Sequence, residues 1–239
     1  MNHKFKILDG KNVLVTGATG GIGNSICKLF SNFGSNVYAT GRNLDKLDKL
    51  SKDIPGINCY QCDLGDESSL SSLNKRVYGD SSGIDILINN AGFFSTHSLD
   101  DITPSEYEKF FNLNVRAPIL LSSFHSKNMK KKTWGRIFNI GSSSCYNGGK
   151  NTSLYCSSKH ALLGFSRSIS DELKEFNIRV TNLSPSSTKT EMGKIPLASY
   201  QDYNTFIEPD EVAETLIFLC VFDGAMEVRE ILLNRVNVQ

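Results

Sequence analysis

Short runs of β-branched and apolar residues alternate with helical segments along nearly the whole chain, and this alternation constrains the fold more than any other feature. Residues 12–16 (Asn-Val-Leu-Val-Thr), 36–40, 58–62, 84–88, 136–140, 178–183 and 230–236 read as strands. Helices are expected over 22 to about 33, over 44–53 and over 210 to about 222. Thr103-Pro104-Ser105-Glu106 opens another, with Thr as N-cap, Pro at the first helical position and Glu at the third. That helix is expected to run to the lysines at 130–132, and a further one, carrying Tyr155, follows the fifth strand. Strands alternating with helices imply right-handed βαβ units and a parallel sheet covered on both faces. No repeat, low-complexity tract or linker interrupts the order, so the 239 residues predict one doubly wound α/β domain.

Composition narrows the partners. A formal net charge of +1 gives no basis for binding nucleic acid or an acidic membrane, and no apolar run approaches the roughly 20 residues that span a bilayer. Met1-Asn2-His3-Lys4-Phe5 lacks the apolar core of a signal peptide, so a cytoplasmic location is expected. The six cysteines then read as reduced thiols, several of them buried. Cys59-Tyr60-Gln61-Cys62 has the spacing of a metal or redox pair. It has no second pair to complete a zinc site and it ends a strand rather than opening a helix, so a structural role is expected and no metal.

Thr16-Gly17-Ala18-Thr19-Gly20-Gly21-Ile22-Gly23 joins the first strand to the first helix. Glycines permit a tight turn and close backbone approach to a pyrophosphate, whose charge is favoured by the free N–H groups of a helix start. A tight turn alone would also explain a glycine-rich loop; its place in a βαβ unit points to a nucleotide. After the second strand, a carboxylate would bind the ribose hydroxyls of NAD. This chain has Gly41-Arg42-Asn43 instead, and a guanidinium suits a 2′-phosphate, so Arg42 favours NADP(H) over NAD(H).

Tyr155 and Lys159 are four residues apart, one turn of a helix, which places a phenol beside an ammonium. A neighbouring cation lowers a phenol's pKa and makes it a usable general acid or base. The same spacing also suits a solvated pair, so the two residues decide nothing alone.

With these pieces in order, the sequence resembles the short-chain dehydrogenase/reductase family over nearly its full length. The glycine loop matches its first motif, Cys62-Asp63-Leu64 its adenine-contacting segment, and Asn89-Asn90-Ala91-Gly92 its hallmark after the fourth strand. Asn114, Ser142, Tyr155 and Lys159 fall where the family places its catalytic tetrad. The resemblance implies a Rossmann-like sheet of about seven strands and a nicotinamide cofactor contacted by Thr16, Gly17, Thr19, Gly21, Ile22, Gly23, Arg42, Asn43, Asp63, Leu64, Asn90, Ala91, Gly92, Tyr155, Lys159, Pro185, Thr188 and Thr190. It implies that Tyr155 acts as general acid or base, that Lys159 lowers its pKa and holds the nicotinamide ribose, and that Ser142 contacts the substrate oxygen. Asn114 would anchor a water in the proton path by kinking its helix. Family members form dimers or tetramers through the helices carrying Asn114 and Tyr155, so a homodimer or homotetramer is expected.

Two segments depart from the family pattern. Ser186 stands where a Gly is usual after Pro185, so the loop must suit a side chain. The C-terminus lacks the glycine-rich end of ketoacyl reductases and looks more like the branch acting on small 3-hydroxy acids, ketones and aldehydes. A substrate lid is expected around 190–207, where Gly193 and Pro196 interrupt the regular pattern. Phe93, Phe94, His97, Cys145, Tyr146, Met192, Leu197 and Tyr200 are candidate pocket residues, with His97 more simply a surface histidine. Lys150, Lys189 and Lys194 are candidate partners for a substrate carboxylate. The leading expectation is an NADP(H)-dependent oxidoreductase interconverting a carbonyl and an alcohol. A 3-oxoacyl-thioester reductase and a catalytically silent nucleotide-sensing regulator are the alternatives, and the complete tetrad argues against the regulator.

Overall fold

A computed structural model describes residues 5–195 and 202–236. Seven strands form one parallel sheet in the order β3-β2-β1-β4-β5-β6-β7. They are β1 (Asn12–Thr16), β2 (Asn36–Gly41), β3 (Asn58–Gln61), β4 (Ile86–Asn89), β5 (Gly135–Ile140), β6 (Ile178–Pro185) and β7 (Glu230–Leu233). The order reverses at β1, where the chain crosses to β4, so the loops after β1 and β4 diverge and open a crevice at the C-terminal edge. The doubly wound reading is borne out.

The side chains of each strand alternate between two apolar layers, as a period of two requires. Val13, Val15, Ile86, Ile88 and Phe138 point to one face, which α1 (Gly21–Asn32) covers with Ile26 and Phe30. The last helix, Pro209–Cys220, covers the same face with Val212 and Leu216. Leu14, Leu87, Ile137 and Val180 point to the other face and meet Leu70, Leu73 and Leu121.

Three boundaries differ from expectation. A helix that the sequence reading left out, α3 (Glu67–Ser81), follows α2 (Leu44–Asp53) and β3; the Asp66 carboxylate caps it by accepting from Ser69 N–H at 2.7 Å. The helix begun at Thr103 is not continuous. It comprises α4 (Pro104–Phe111), a π-helical turn (Asn112–Arg116) and α5 (Ala117–Lys132). The last strand stops at Leu233, paired with Pro185, beyond which β6 offers no further ladder. The helix carrying Tyr155 is α6 (Ser153–Leu173), and Pro209–Cys220 is α7.

No helix among the described residues is long and apolar enough to cross a membrane. Cys59 and Cys62 are both free thiols; Cys59 Sγ reaches the Leu47 carbonyl at 3.7 Å and Cys62 Sγ accepts from Ser69 at 3.3 Å. Each thiol is thus held by a different neighbour. Among the described residues no group of three or more His, Cys, Asp or Glu side chains is placed to hold a metal.

Candidate active site

A cleft of about 1070 Å³ runs along the C-terminal edge of the sheet. Its floor begins where β1 turns into α1. Gly17 has φ +63°, and a Cβ there would lie 2.8 Å from the Ala91 Cα; at Gly23 it would lie 2.2 Å from the Gly17 carbonyl oxygen. Only glycine permits this turn to close so tightly against the loop after β4. Polar side chains pin the two loops together. Thr16 Oγ1 accepts the N–H groups of Asn90 and Ala91, both at 3.0 Å, while Asn90 Nδ2 donates to the carbonyls of Thr16 (2.9 Å) and Gly17 (3.2 Å).

Of the residues expected at a cofactor, Gly17, Thr19, Gly21, Ile22, Gly23, Arg42, Asn43, Leu64, Asn90, Ala91, Gly92, Pro185, Thr188 and Thr190 line the cleft together with Ser142, Tyr155 and Lys159. Thr16 stands behind the wall as the clamp just described. Asp63 also lies off it: its N–H donates to Ser69 Oγ at 3.1 Å and its carboxylate accepts from Gly65 N–H at 2.9 Å. Arg42 is exposed, and its guanidinium has no hydrogen-bond or ion-pair partner among the described residues. Asn43 caps α2, its side-chain oxygen accepting from Lys46 N–H at 2.8 Å. That cap sets Lys46, which the sequence reading missed, on the wall of the same cleft as Arg42.

The other end of the cleft is built by β5 and α6. Ser142 leaves β5 with its Oγ accepting from Ser144 N–H at 3.1 Å. Ser142 lines the cleft together with Tyr155, and its hydroxyl acts to lower the phenol's pKa. The Tyr155 ring packs edge-on against Phe94 with centroids 4.8 Å apart. Lys159 Nζ donates to the Ile140 carbonyl at 2.8 Å and lies 5.8 Å from the Tyr155 ring centroid. Burial dominates the electrostatics of both residues. It pushes the Tyr155 phenol up to about 12, against the lowering influence of the Ser142 hydroxyl, and pulls the Lys159 ammonium down to about 8. The expected lowering of the phenol by Lys159 is therefore not seen. The ammonium is turned to Ile140, and loss of water outweighs its field at the ring.

Asn114 lies in the π-helical turn, which aims its carboxamide at the loop after β4. Its Oδ1 accepts from Phe93 N–H at 2.8 Å, and Nδ2 donates to the Phe93 carbonyl and to Ser158 Oγ, both at 3.0 Å. The widened turn matches the kink expected of this helix. Beneath it runs a chain the sequence did not reveal. Asn89 Nδ2 donates to Asn139 Oδ1 and Asn139 Nδ2 to Ser166 Oγ, each at 2.8 Å, which ties β4, β5 and α6 under the site.

Of the pocket candidates, Phe94 and Met192 line the cleft. Phe93 packs against Phe110, and Cys145 sits behind Ser142, whose N–H it accepts at 3.4 Å. The Tyr146 hydroxyl donates to Glu230 at 3.0 Å. His97 is off the wall, 3.2 Å from the Glu106 carboxylate. Leu197 and Tyr200 fall outside the described residues. Lys189 pairs with Glu208, Lys194 pairs with Glu191 at 2.7 Å, and Lys150 is exposed away from the wall. Ser186 carries no left-handed backbone; its Oγ accepts from Arg235 N–H at 3.3 Å, so the loop accommodates the side chain that replaces glycine.

A family model described as short chain dehydrogenase matches residues 11–198. The chain belongs to the short-chain dehydrogenase/reductase family. Among curated relatives of this family, the 3-oxoacyl-(acyl-carrier-protein) reductase FabG of Rickettsia conorii is 31% identical, over 89% of this chain and 90% of its own. The L-xylulose reductase of Caenorhabditis elegans is also 31% identical, over 90% of each chain. Among solved structures, a 7α-hydroxysteroid dehydrogenase complexed with NADH and 7-oxo glycochenodeoxycholic acid superposes with a TM-score of 0.90 at 27% identity, covering 98% of this chain and 96% of that one. A metagenomic short-chain oxidoreductase in complex with NADP gives 0.84 at 27% identity, covering 96% and 99%. The protein is thus an oxidoreductase of the short-chain dehydrogenase/reductase family acting on CH–OH groups and their carbonyl counterparts.

Proposed function

We propose that this short-chain dehydrogenase/reductase is an NADPH-dependent carbonyl reductase with Tyr155 as the general acid. The observation that carries the reading is the buried Tyr155 phenol on the same cleft wall as Ser142 and Lys159, at one end of a cleft whose other end is a glycine cradle. The residues present fit a nicotinamide dinucleotide: Gly17 and Gly23 leave the loop open to a pyrophosphate, and Arg42 presents an unpaired guanidinium for a 2′-phosphate. When bound, the cofactor supplies the hydride. The protein's own residues supply the rest. Ser142 hydrogen-bonds the carbonyl oxygen as negative charge develops on it, and Tyr155 delivers the proton to that oxygen. Lys159 holds the ribose, and Asn114 keeps the Phe93 backbone and α6 in place and anchors the water that resupplies the proton. Residues 190–207 act as the substrate lid, and the oligomer is a dimer or tetramer.

The test is NADPH and NADH consumption over ketones, aldehydes, 3-oxo acids and 3-oxoacyl thioesters, the last included because of the FabG relatives. Tyr155→Phe should lower the rate by at least about a hundredfold. Arg42→Ala should weaken NADPH binding far more than NADH binding. Cofactor binding without turnover of any carbonyl would overturn the enzyme reading, and equal losses for both cofactors would remove Arg42 from the phosphate site.

A further inference from the structure

The cleft is divided by charge. Its two solvent-facing cations, Arg42 and Lys46, follow β2, whereas Ser142 follows β5. Between β2 and β5 lie β1 and β4, so the two ends are roughly 14 Å apart at the ~4.8 Å spacing of neighbouring strands. The third cation of the wall, Lys159, is buried with its ammonium on the Ile140 carbonyl. Phe94 packs on Tyr155, and the wall residues that follow β5, Ser143, Ser144, Asn147 and Thr152, are likewise uncharged.

Nearby cations do not supply the lack. From Gly141 to Ser158 the sequence contains one charged residue, Lys150, which is exposed and off the wall. Lys189 and Lys194 are held in ion pairs with Glu208 and Glu191. The remaining charged group of the wall, Glu191, is the carboxylate that Lys194 pairs with, and it offers an acid no counter-ion. Residues 196–201, Pro-Leu-Ala-Ser-Tyr-Gln, add no charge in sequence. A substrate carboxylate close to the reacting carbon would leave water without a counter-ion, which is costly. Neutral polar groups fare better. The hydroxyls of Ser143 and Ser144 and the Oδ1 of Asn147 have no hydrogen-bond partner among the described residues, and all three residues line the cleft.

We infer that the substrate is an uncharged carbonyl compound with hydroxyl or ester-type polar groups close to its reacting carbon, and that free oxo acids are poor substrates. The inference rests on the carbonyl-reductase reading and narrows it.

Two substrate pairs with NADPH test it: methyl acetoacetate against acetoacetate, and hydroxyacetone against acetone. The ester should exceed the acid in kcat/KM by at least about tenfold, because the site offers the carboxylate no partner. Hydroxyacetone should exceed acetone, with the preference falling in Ser144→Ala. Asn147→Lys should raise the rate with acetoacetate relative to the ester, and comparing variant with wild type cancels the intrinsic reactivity of the two ketones. An acid reduced as well as its ester, with that activity lost in Lys150→Ala, would show that Lys150 reaches the carboxylate and would overturn the inference alone. NADPH binding with no reduction of any member of either pair, or of any carbonyl in the broader panel, would remove the carbonyl-reductase reading and this inference with it.

Discussion

Lys159→Met should make the protein more stable while abolishing its activity. Lys159 is buried without a carboxylate partner, and burial lowers its pKa from 10.5 to about 8. The sign follows from proton counting. Between pH 8 and 10.5 the unfolded chain holds the proton that the folded chain releases, so wild-type stability rises with pH through that window. Below pH 8 the penalty of the buried ammonium is fully present. At pH 7 a shift of this size corresponds to about 3 kcal/mol, falling to about 1 kcal/mol at pH 9.5. Methionine removes that penalty, retains the apolar stem and loses the hydrogen bond to Ile140, a cost of about 1 kcal/mol. The net gain is about 2 kcal/mol at pH 7, near zero at pH 9.5, and equivalent at pH 7 to a rise of roughly 4–8 °C in Tm for a domain of this size.

Guanidinium unfolding of wild type and Lys159→Met at pH 7 and 9.5 measures the difference directly. Tyr155, whose burial raises its phenol to about 12, is common to both proteins and drops out of the comparison. A variant no more stable than wild type at pH 7, or a stability difference unchanged at pH 9.5, would refute the claim that the ammonium is held against its desolvation. NADPH turnover should vanish in the same variant, whose fold the unfolding curves will have verified.

Gly23→Ala should abolish NADPH binding, read by fluorescence titration, and lower Tm, because its Cβ would lie 2.2 Å from the Gly17 carbonyl oxygen and force the loop open. Asn139→Ala removes the Asn139 bonds to Asn89 Nδ2 and Ser166 Oγ, leaving these only Ser122 Oγ at 3.3 Å and the Leu162 carbonyl. It should cost about 1–3 kcal/mol in denaturant unfolding, and Asn139→Asp, which buries a carboxylate and cannot donate to Ser166, should not recover the loss.

The sheet was legible because its central strands are buried on both faces and read as largely apolar runs, and their centres therefore fall where expected. The boundaries were less so, since they depend on neighbours: β7 ends where Pro185 ends the ladder of β6. Helix α3 escaped because its serines and Gly79 obscure a stripe whose buried residues are Leu70, Leu73 and Val77. Individual residues of the site were readable where backbone geometry demands one residue type, as at Gly17. Lys46 and the Asn89–Asn139–Ser166 chain were not, because their positions follow from a cap on α2 and from strand register. The sign of the Tyr155 shift was misjudged for a related reason. Spacing on a helix gives the distance to Lys159 but says nothing of how much water either group loses.

That balance bears on the protonation state in which the site waits for a substrate. A phenol near 12 keeps its proton at neutral pH, so Tyr155, as the proposed acid, is loaded before a carbonyl arrives. The proton becomes transferable once charge builds on the oxygen that Ser142 contacts, because the nascent alkoxide is far more basic than the phenolate left behind. Lys159, near 8, still carries most of its charge at pH 7 and stands behind the ring to stabilise the phenolate once it forms. Burial therefore leaves both groups shifted towards neutrality, and the stability forgone at Lys159 is what keeps a cation beside the proposed proton donor.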